Sequence, residues 1–164
     1  MILLRDLKES DLEKLRLWRM SPEVTKYLCV DPVITEEAQE QWYKEMKERG
    51  DDIYWIVNYN GVDIGYASLN KIDTQNRNAD PGVYIGMAEC RGIGLGGKIL
   101  RKIEEYAFWT LYLHKLYGYV LSENYPALKI YTENDWKLEG FLKDHILKHG
   151  EFYSVYIMSL LRKV

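Results

Sequence analysis

The pattern of apolar and polar positions along the chain predicts alternating strands and helices. Apolar residues recur every three or four positions in some segments, which is typical of helices, and alternate or run together in others, which is typical of strands. An Asn-Gly pair at positions 60–61 predicts a hairpin turn. Strands are predicted at residues 2–6, 53–59, 62–72, 83–87, 115–121, 139–146 and 152–161, and helices at 9–20, from 35 onward, at 95–110 and at 125–133.

This order of elements predicts one domain. Antiparallel hairpins at both ends flank a single strand–helix–strand unit, which leaves little room for a doubly wound sheet. We therefore expect residues 1–164 to form an α/β (α+β) fold. Its mixed, mostly antiparallel sheet should have about seven strands, flanked by about four helices.

Composition excludes several classes of function. A net charge of −3 with scattered basic residues gives no electrostatic case for nucleic acid binding. No apolar run approaches the ~20 residues that cross a bilayer, and the first residues lack signal-peptide architecture. We expect a cytoplasmic protein without a bound metal, in which Cys29 and Cys90 are reduced thiols.

The strongest chemical signal is a glycine-rich turn at residues 91–98, Arg-Gly-Ile-Gly-Leu-Gly-Gly-Lys, between a predicted strand and a predicted helix. Bare backbone N–H groups beside a helix N-terminus favour a phosphate or pyrophosphate. The turn satisfies the Gly-x-Gly-x-x-Gly dinucleotide pattern, but only one parallel-capable strand follows it, too few for that fold. It also satisfies most of the phosphate-loop pattern, but Ile99 stands where Ser or Thr would hold magnesium.

The same turn resembles the acetyl-CoA-binding loop, Arg/Gln-x-x-Gly-x-Gly/Ala, of the GCN5-related N-acetyltransferase (GNAT) superfamily. Downstream, Asn124, Ala127 and Tyr131, followed by Leu-Glu-Gly-Phe at 138–141, resemble its second signature. The spacing has a physical basis, because Asn124 can cap a helix and Tyr131 projects from the same helical face two turns later. The chain is identified as a member of this superfamily, with acetyl-CoA as its co-substrate.

The resemblance implies that an amine attacks the acetyl thioester directly. It implies Tyr131 as the general acid and the backbone N–H of Ile85 as the donor to the carbonyl oxygen. The base stays open: Asp80 is the nearest carboxylate, with a turn cap as its other interpretation, while Ser68 and Tyr84 are candidates for a water relay. The implied cofactor contacts are Ile85, Gly86, Met87, Arg91, Gly92, Ile93, Gly94, Leu95, Gly96, Gly97, Asn124, Ala127 and Tyr131.

The N-terminal half resembles the ribosomal-alanine-acetyltransferase-like branch. It is most similar to the enzymes of pseudaminic acid biosynthesis that acetylate a UDP-linked 4-amino-4,6-dideoxy-N-acetylhexosamine. That similarity implies Arg19 and Lys71 on the nucleotide phosphates and Leu28, Cys29 and Tyr84 as the sugar wall. The implied acceptor contacts are Arg19, Leu28, Cys29, Asn70, Lys71 and Tyr84.

Three other functions stay open at this point. They are a spermidine or polyamine acetyltransferase, a protein N-terminal acetyltransferase, and a non-catalytic acyl-CoA-binding sensor. The aromatic residues of the last predicted hairpin would also suit a homodimer.

Overall fold

A seven-stranded sheet with five α-helices forms the described part of the chain. The computed structural model describes residues 1–30 and 32–163, and the strand order in the sheet is β1-β2-β3-β4-β5-β7-β6. The strands are β1 (Ile2–Asp6), β2 (Ile53–Tyr59), β3 (Val62–Asp73), β4 (Asn78–Ile85), β5 (Lys115–Leu121), β6 (Lys137–Lys148) and β7 (Glu151–Leu161). The helices are α1 (Leu12–Met20), α2 (Pro22–Thr25), α3 (Glu36–Arg49), α4 (Leu95–Glu105) and α5 (Tyr125–Glu133). The predicted mixed, mostly antiparallel sheet is confirmed.

The helix count differs from the prediction because the Ser-Pro pair does more than end a helix. Ser21 leaves the helical region at the end of α1, and Pro22 then opens the four-residue α2. Proline is tolerated there because the first N–H groups of a helix have no intrahelical partner. The predicted helix over 95–110 also divides, since α4 ends at Glu105 and continues as a π-type turn, Tyr106–Thr110.

The largest correction concerns β4, which begins at Asn78 and ends at Ile85, whereas the predicted strand covered 83–87. Asp-Pro-Gly at 80–82 is typical of a turn, but here it is extended and paired with β3. Proline fits because Pro81 lies opposite Leu69 at a position where its nitrogen faces away from β3. The strand ends in an irregular turn, where Gly86 and Met87 both donate to the same carbonyl oxygen.

The sheet is continuous except between β4 and β5, where it opens. These two strands run parallel and pair through Asn78 with Lys115 and Ala79 with Leu116, and within the described residues their pairing ends there. On its other edge β5 pairs with β7 along its whole length, from Lys115 opposite Leu161 to Leu121 opposite Val155. A gap therefore opens between the C-terminal halves of β4 and β5, and it points toward the glycine-rich turn that follows β4.

The two faces of the sheet have separate apolar cores. The face under α4 and α5 holds the larger core, to which α4 contributes Leu95, Ile99, Leu100 and Ile103. The face under α1 and α3 holds a smaller cluster of Leu7, Leu15, Ile56 and Tyr66. The gap thus lies between two helical layers.

Candidate active site

Backbone groups of β4 line one side of the gap. Gly86 N–H donates to Ile64 O at 2.8 Å, which sets the alternation of the β3–β4 ladder. Because hydrogen-bonded and free positions alternate along an antiparallel pair, the N–H and C=O groups of Val83 and Ile85 point away from β3. They face the gap, and they offer an extended ligand two N–H donors.

Arg91 braces the end of this strand. Its Nε donates to Ile85 O at 2.8 Å, and its Nη2 donates to Gly86 O at 2.6 Å. The first bond agrees with the gap-facing direction of the Ile85 carbonyl. The resemblance implied a cofactor contact for Arg91, and the structure places its guanidinium beside the predicted contacts Ile85 and Gly86.

The glycine-rich turn leads directly into α4. Gly92 and Gly94 have φ of +73° and +80°, in the left-handed region that favours glycine, and Gly94 is the N-cap of α4. Both are exposed, and a Cβ on either would meet open space. Ile93 between them is 57% exposed, whereas Leu95 is buried in the core, so only its backbone faces the turn. The N-terminus of α4 is therefore accessible to an anion.

Gly96 and Gly97 have a different role. A Cβ on Gly96 would stand 2.8 Å from Ile130 Cδ1, and one on Gly97 would stand 3.1 Å from Asn134 Nδ2. These two glycines let α4 pack closely against α5. Half of the glycine signal thus reflects helix packing, which the sequence alone did not separate from ligand binding.

Helix α5 brings Tyr131 to the gap. Asn124 caps the helix as predicted, since its Oδ1 accepts from Ala127 N at 3.1 Å. Two turns later the Tyr131 hydroxyl lies 3.5 Å from the point where Gly118 of β5 would carry a Cβ. The Tyr131 ring packs edge-on against Trp136 at a centroid distance of 4.5 Å, which restrains its orientation.

Asp80 reaches the same place from β4. Its Oδ1 also lies 3.5 Å from the Cβ position of Gly118, and Lys71 Nζ lies 3.8 Å from its Oδ2. Burial raises the pKa of Asp80 to about 6, although the nearby Lys71 ammonium opposes the shift. Burial, and next the Asp80 carboxylate, raise the pKa of Tyr131 well above its ordinary value. A carboxylate that titrates near neutrality and a neutral phenol therefore meet at the closed end of the gap.

Comparison with known families identifies the family of the chain. The family model of the acetyltransferase (GNAT) domain matches residues 1–137. The chain belongs to the GNAT acetyltransferase family. It is an acetyl-CoA-dependent N-acetyltransferase.

Similar GNAT proteins match the chain over nearly its whole length. The uncharacterized N-acetyltransferase p20 of Bacillus licheniformis is 28% identical over 98% of this chain and 92% of its own length. The spermidine N-acetyltransferase of Vibrio cholerae, solved in complex with CoA and spermine, has a TM-score of 0.92 at 25% identity, over 98% of this chain and 95% of that one. Another structure of the Vibrio cholerae enzyme is dodecameric, with a TM-score of 0.83 at 25% identity and coverage of 98% and 93%. The acetyltransferase PseH of Campylobacter jejuni is 24% identical over 88% of this chain and 90% of its own length.

On the opposite face of β4 from α4, this GNAT domain packs a row of polar side chains beneath α1. Ser68 is 1% exposed, and its Oγ occupies the space that a Cβ on Gly82 would need. Asn70 Nδ2 donates both to Ser68 Oγ at 2.9 Å and to Asp80 O at 3.1 Å. Because Ser68 is buried and already hydrogen-bonded to Asn70, it is a poorer candidate for a water relay, and Asp80 is the better candidate for the base.

Two buried polar atoms lie further along this face. Tyr84 stacks on Tyr66 at a centroid distance of 4.9 Å, and burial raises the pKa of Tyr84 far above its ordinary value. Tyr84 Oη and Arg19 Nε are both buried, and neither has a hydrogen-bond partner among the described residues. Arg19 also lines a cavity of about 250 Å³ with Trp42 and Tyr66. Buried polar groups without partners are rare, which makes this cavity a candidate acceptor subsite.

The other predicted acceptor residues are Lys71, Leu28 and Cys29. Lys71 has φ of +52° at an irregularity in β3, and the irregularity turns its side chain toward Asp80. Leu28 and Cys29 follow α2 and are half-buried. Burial raises the pKa of the Cys29 thiol, and Lys148 and Asp80 are close enough to shift it in opposite directions.

Sequence reasoning missed two positions of the candidate site. Gly118 leaves space for both Asp80 and Tyr131, and a glycine inside a strand is a signal of such a close approach. Val83 shares the gap-facing direction of Ile85, but this depends on the ladder alternation and has no sequence signal.

Residues 1–30 and 32–163 contain neither a candidate metal cluster nor a candidate membrane-spanning helix. No group of three or more His, Cys, Asp or Glu side chains in this part of the chain is arranged to hold a metal ion. None of its helices is long and apolar enough to cross a membrane. Cys29 and Cys90 are both free thiols.

Proposed function

We propose that this enzyme transfers the acetyl group of acetyl-CoA directly to a primary amine of a small molecule, with Asp80 as the base and Tyr131 as the acid. The observation that carries the proposal is the convergence of Asp80 Oδ1 and Tyr131 Oη on the space above Gly118. An ammonium must lose a proton before it attacks, and a thiolate must gain one as it leaves. A carboxylate and a phenol at one point supply both transfers.

The residues around the gap suit the shape and charge of acetyl-CoA. The exposed turn at Gly92 and Gly94 offers backbone N–H groups and the N-terminus of α4 to the pyrophosphate. The gap-facing N–H groups of Val83 and Ile85 would bind the extended pantetheine arm, in the manner of an added strand. When bound, acetyl-CoA supplies the activated acyl group. Val83 lies closer along β4 to Asp80 than Ile85 does, so we propose that Val83 shares with Ile85 the role of donor to the carbonyl oxygen.

The two titrating groups fit their proposed roles at neutral pH. With its pKa near 6, Asp80 is mostly ionised at pH 7 and remains basic enough to accept a proton. Tyr131 stays protonated at pH 7 because burial disfavours its phenolate, so it can donate a proton.

A polyamine such as spermidine is the first candidate acceptor. It is supported by the match to the Vibrio cholerae spermidine enzyme, which covers 98% of this chain at a TM-score of 0.92. The sequence resemblance favoured the amino-sugar branch. The support for that branch is weaker, since its relative PseH is 24% identical to this chain.

A UDP-linked amino sugar is the second candidate, and one observation favours it. Arg19 Nε and Tyr84 Oη are buried and have no hydrogen-bond partner in the described part of the chain, and a guanidinium is suited to a phosphate. A polycation would bring like charge to Arg19 in this cavity.

A panel of acceptors tests these assignments. Acetyl-CoA is offered with spermidine, with a UDP-linked 4-amino sugar and with an N-terminal peptide in turn, and free thiol release is followed. We expect turnover with spermidine, and sole turnover of the sugar or the peptide would replace it as the acceptor. Binding of acetyl-CoA without thiol release for any amine would instead identify a sensor.

An Arg19→Gln variant separates the two small-molecule candidates. Removal of the cation should leave the KM of spermidine unchanged or lower, whereas it should raise the KM of a phosphate-bearing sugar by about tenfold or more. Lys163→Gln is the matched control, because Lys163 is exposed and pairs with Asp135 on the surface.

The domain and assembly are also proposals. We propose that residues 1–164 act as one catalytic domain, because β7 lies between β5 and β6 and so completes the sheet beyond the matched family region. The exposed apolar residues of β6 and β7 support a homodimer or larger homo-oligomer through this hairpin: Leu138, Phe141, Leu147 and Phe152. A cytoplasmic location without bound metal stays a prediction.

A further inference from the structure

Lys148 at the end of β6 is buried, although lysine is normally exposed. Only 8% of the residue is accessible, and its Nζ donates to Thr25 O and to Leu28 O, each at 2.9 Å. These partners lie 123 and 120 positions away along the chain. The ammonium thus bridges the C-terminal hairpin to the carbonyl groups at the end of α2, where a cation also suits the helix dipole.

The segment that Lys148 holds leads into the reaction gap. Cys29 comes directly after Leu28, and its thiol interacts electrostatically with both Lys148 and Asp80. The charges of Asp80 and Cys29 also contribute to the raised pKa of the Tyr131 phenol. Cys29, at the end of segment 25–29, therefore lies near the proposed base and acid.

Apart from its contacts with Lys148, segment 25–29 is held by little regular structure. Helix α2 has four residues, and the segment after it begins with a single turn in which Leu28 N–H donates to Thr25 O at 3.0 Å. Short helices are marginal on their own, so tertiary contacts decide where the segment lies. Two charge-assisted hydrogen bonds from a buried ammonium are a strong contact of this kind.

We infer that Lys148 is a positioning residue, which holds segment 25–29 against the gap so that the acceptor amine meets Asp80. This rests on the proposed function in two respects, that Asp80 is the base and that the amine binds on the α1 side of the sheet, where the cavity beside Arg19 lies. Acetyl-CoA is proposed to bind along β4 and at the glycine-rich turn, which Lys148 does not contact. Loss of Lys148 should therefore affect the amine and spare acetyl-CoA.

A Lys148→Met variant tests the inference, because methionine keeps most of the length of the side chain and removes its charge. We expect the KM of spermidine to rise about tenfold, the cost of losing a charge-assisted contact, while the dissociation constant of acetyl-CoA changes less than about twofold. Lys148→Arg should recover much of the loss, since a guanidinium can also donate to two carbonyl groups. Lys163→Met is the surface control and should match the parent enzyme.

A thiol-labelling measurement makes the result independent of the acceptor and of turnover. In a Cys90→Ser background, the rate of Cys29 alkylation by iodoacetamide reports how closely segment 25–29 lies on the gap. We expect Lys148→Met to raise this rate about tenfold below the melting temperature, and Lys148→Arg to raise it much less. If the labelling rises in this way but no amine is acetylated by the parent, the positioning role stands and the proposed function fails.

Three outcomes would overturn the inference. The first is an unchanged labelling rate in Lys148→Met. The second is a spermidine KM within about twofold of the parent value in an active enzyme. The third is an equal loss of affinity for spermidine and acetyl-CoA, which would mean that Lys148 supports the fold as a whole. If Lys148→Met does not fold, Lys148→Gln with Lys148→Arg gives the same comparison with a shorter polar side chain.

Discussion

Asp80 Oδ1 and Tyr131 Oη each lie 3.5 Å from the position that a Cβ on Gly118 would occupy. One oxygen comes from β4 and the other from α5, on the two sides of the gap where the parallel strands separate. The two groups are close enough to act on one small reacting centre. Their pKa values are also displaced in ways that suit proton acceptance and donation, respectively.

Replacement of Asp80 should remove the base. We expect Asp80→Asn to lower kcat by about 10²–10⁴-fold with little change in acetyl-CoA affinity, because asparagine cannot accept the ammonium proton. In the parent, kcat/KM should fall as the pH drops below about 6, since the carboxylate becomes protonated there. That acidic limb should be absent in Asp80→Asn. A variant that keeps both the parental rate and the parental acidic limb would exclude Asp80 as the base.

Replacement of Tyr131 should remove the acid and preserve the packing. Tyr131→Phe keeps the ring against Trp136, so we expect normal folding and normal acetyl-CoA affinity by calorimetry. The value of kcat should fall about 10²-fold or more, because the leaving thiolate loses its proton donor. A more acidic thiol leaves more readily as the thiolate and depends less on a proton donor. The variant should therefore lose less activity with an acetyl donor of that kind than with acetyl-CoA. Equal losses with both donors would argue for a binding role.

We expect Arg91 to support activity by holding the end of β4 in place as well as by contacting the cofactor. We expect Arg91→Met to weaken turnover with acetyl-CoA about tenfold, since Ile85 O and Gly86 O lose their charge-assisted donors. S-acetylpantetheine, which lacks the pyrophosphate, should lose activity in a similar proportion. If only acetyl-CoA is affected, Arg91 acts on the pyrophosphate alone.

Gly96 should show a packing dependence on Ile130. We expect Gly96→Ala to lower the free energy of unfolding by about 1 kcal/mol, because the new Cβ would stand too close to Ile130 Cδ1. In an Ile130→Val background, which lacks that atom, the same substitution should be neutral or stabilise the helix by about 0.5 kcal/mol. Urea denaturation of the four proteins measures the coupling. Additive effects would mean that the two residues do not compete for the same space.

Local signals predicted much of the fold. The Asn-Gly turn between β2 and β3, the cap at Asn124 and the left-handed glycine before α4 each depend on residues close in sequence. Such features can be found from the chain alone, because the backbone conformation and its hydrogen bonds are satisfied within a few residues. The local sequence also favours a turn at Asp80, but pairing with β3 makes this residue part of a strand.

The sequence by itself determined the family signatures and the elements that carry them, and it predicted Tyr131 on α5 as the acid. Only the tertiary structure decided which carboxylate meets that acid, because Asp80 and Tyr131 are 51 positions apart and converge through the opening of β4 from β5. It also decided which glycines are open to solvent and which pack against α5, and which lysine is buried against α2. These outcomes depend on strand alternation, on the separation of two parallel strands and on contacts between distant segments, and no local pattern encodes them.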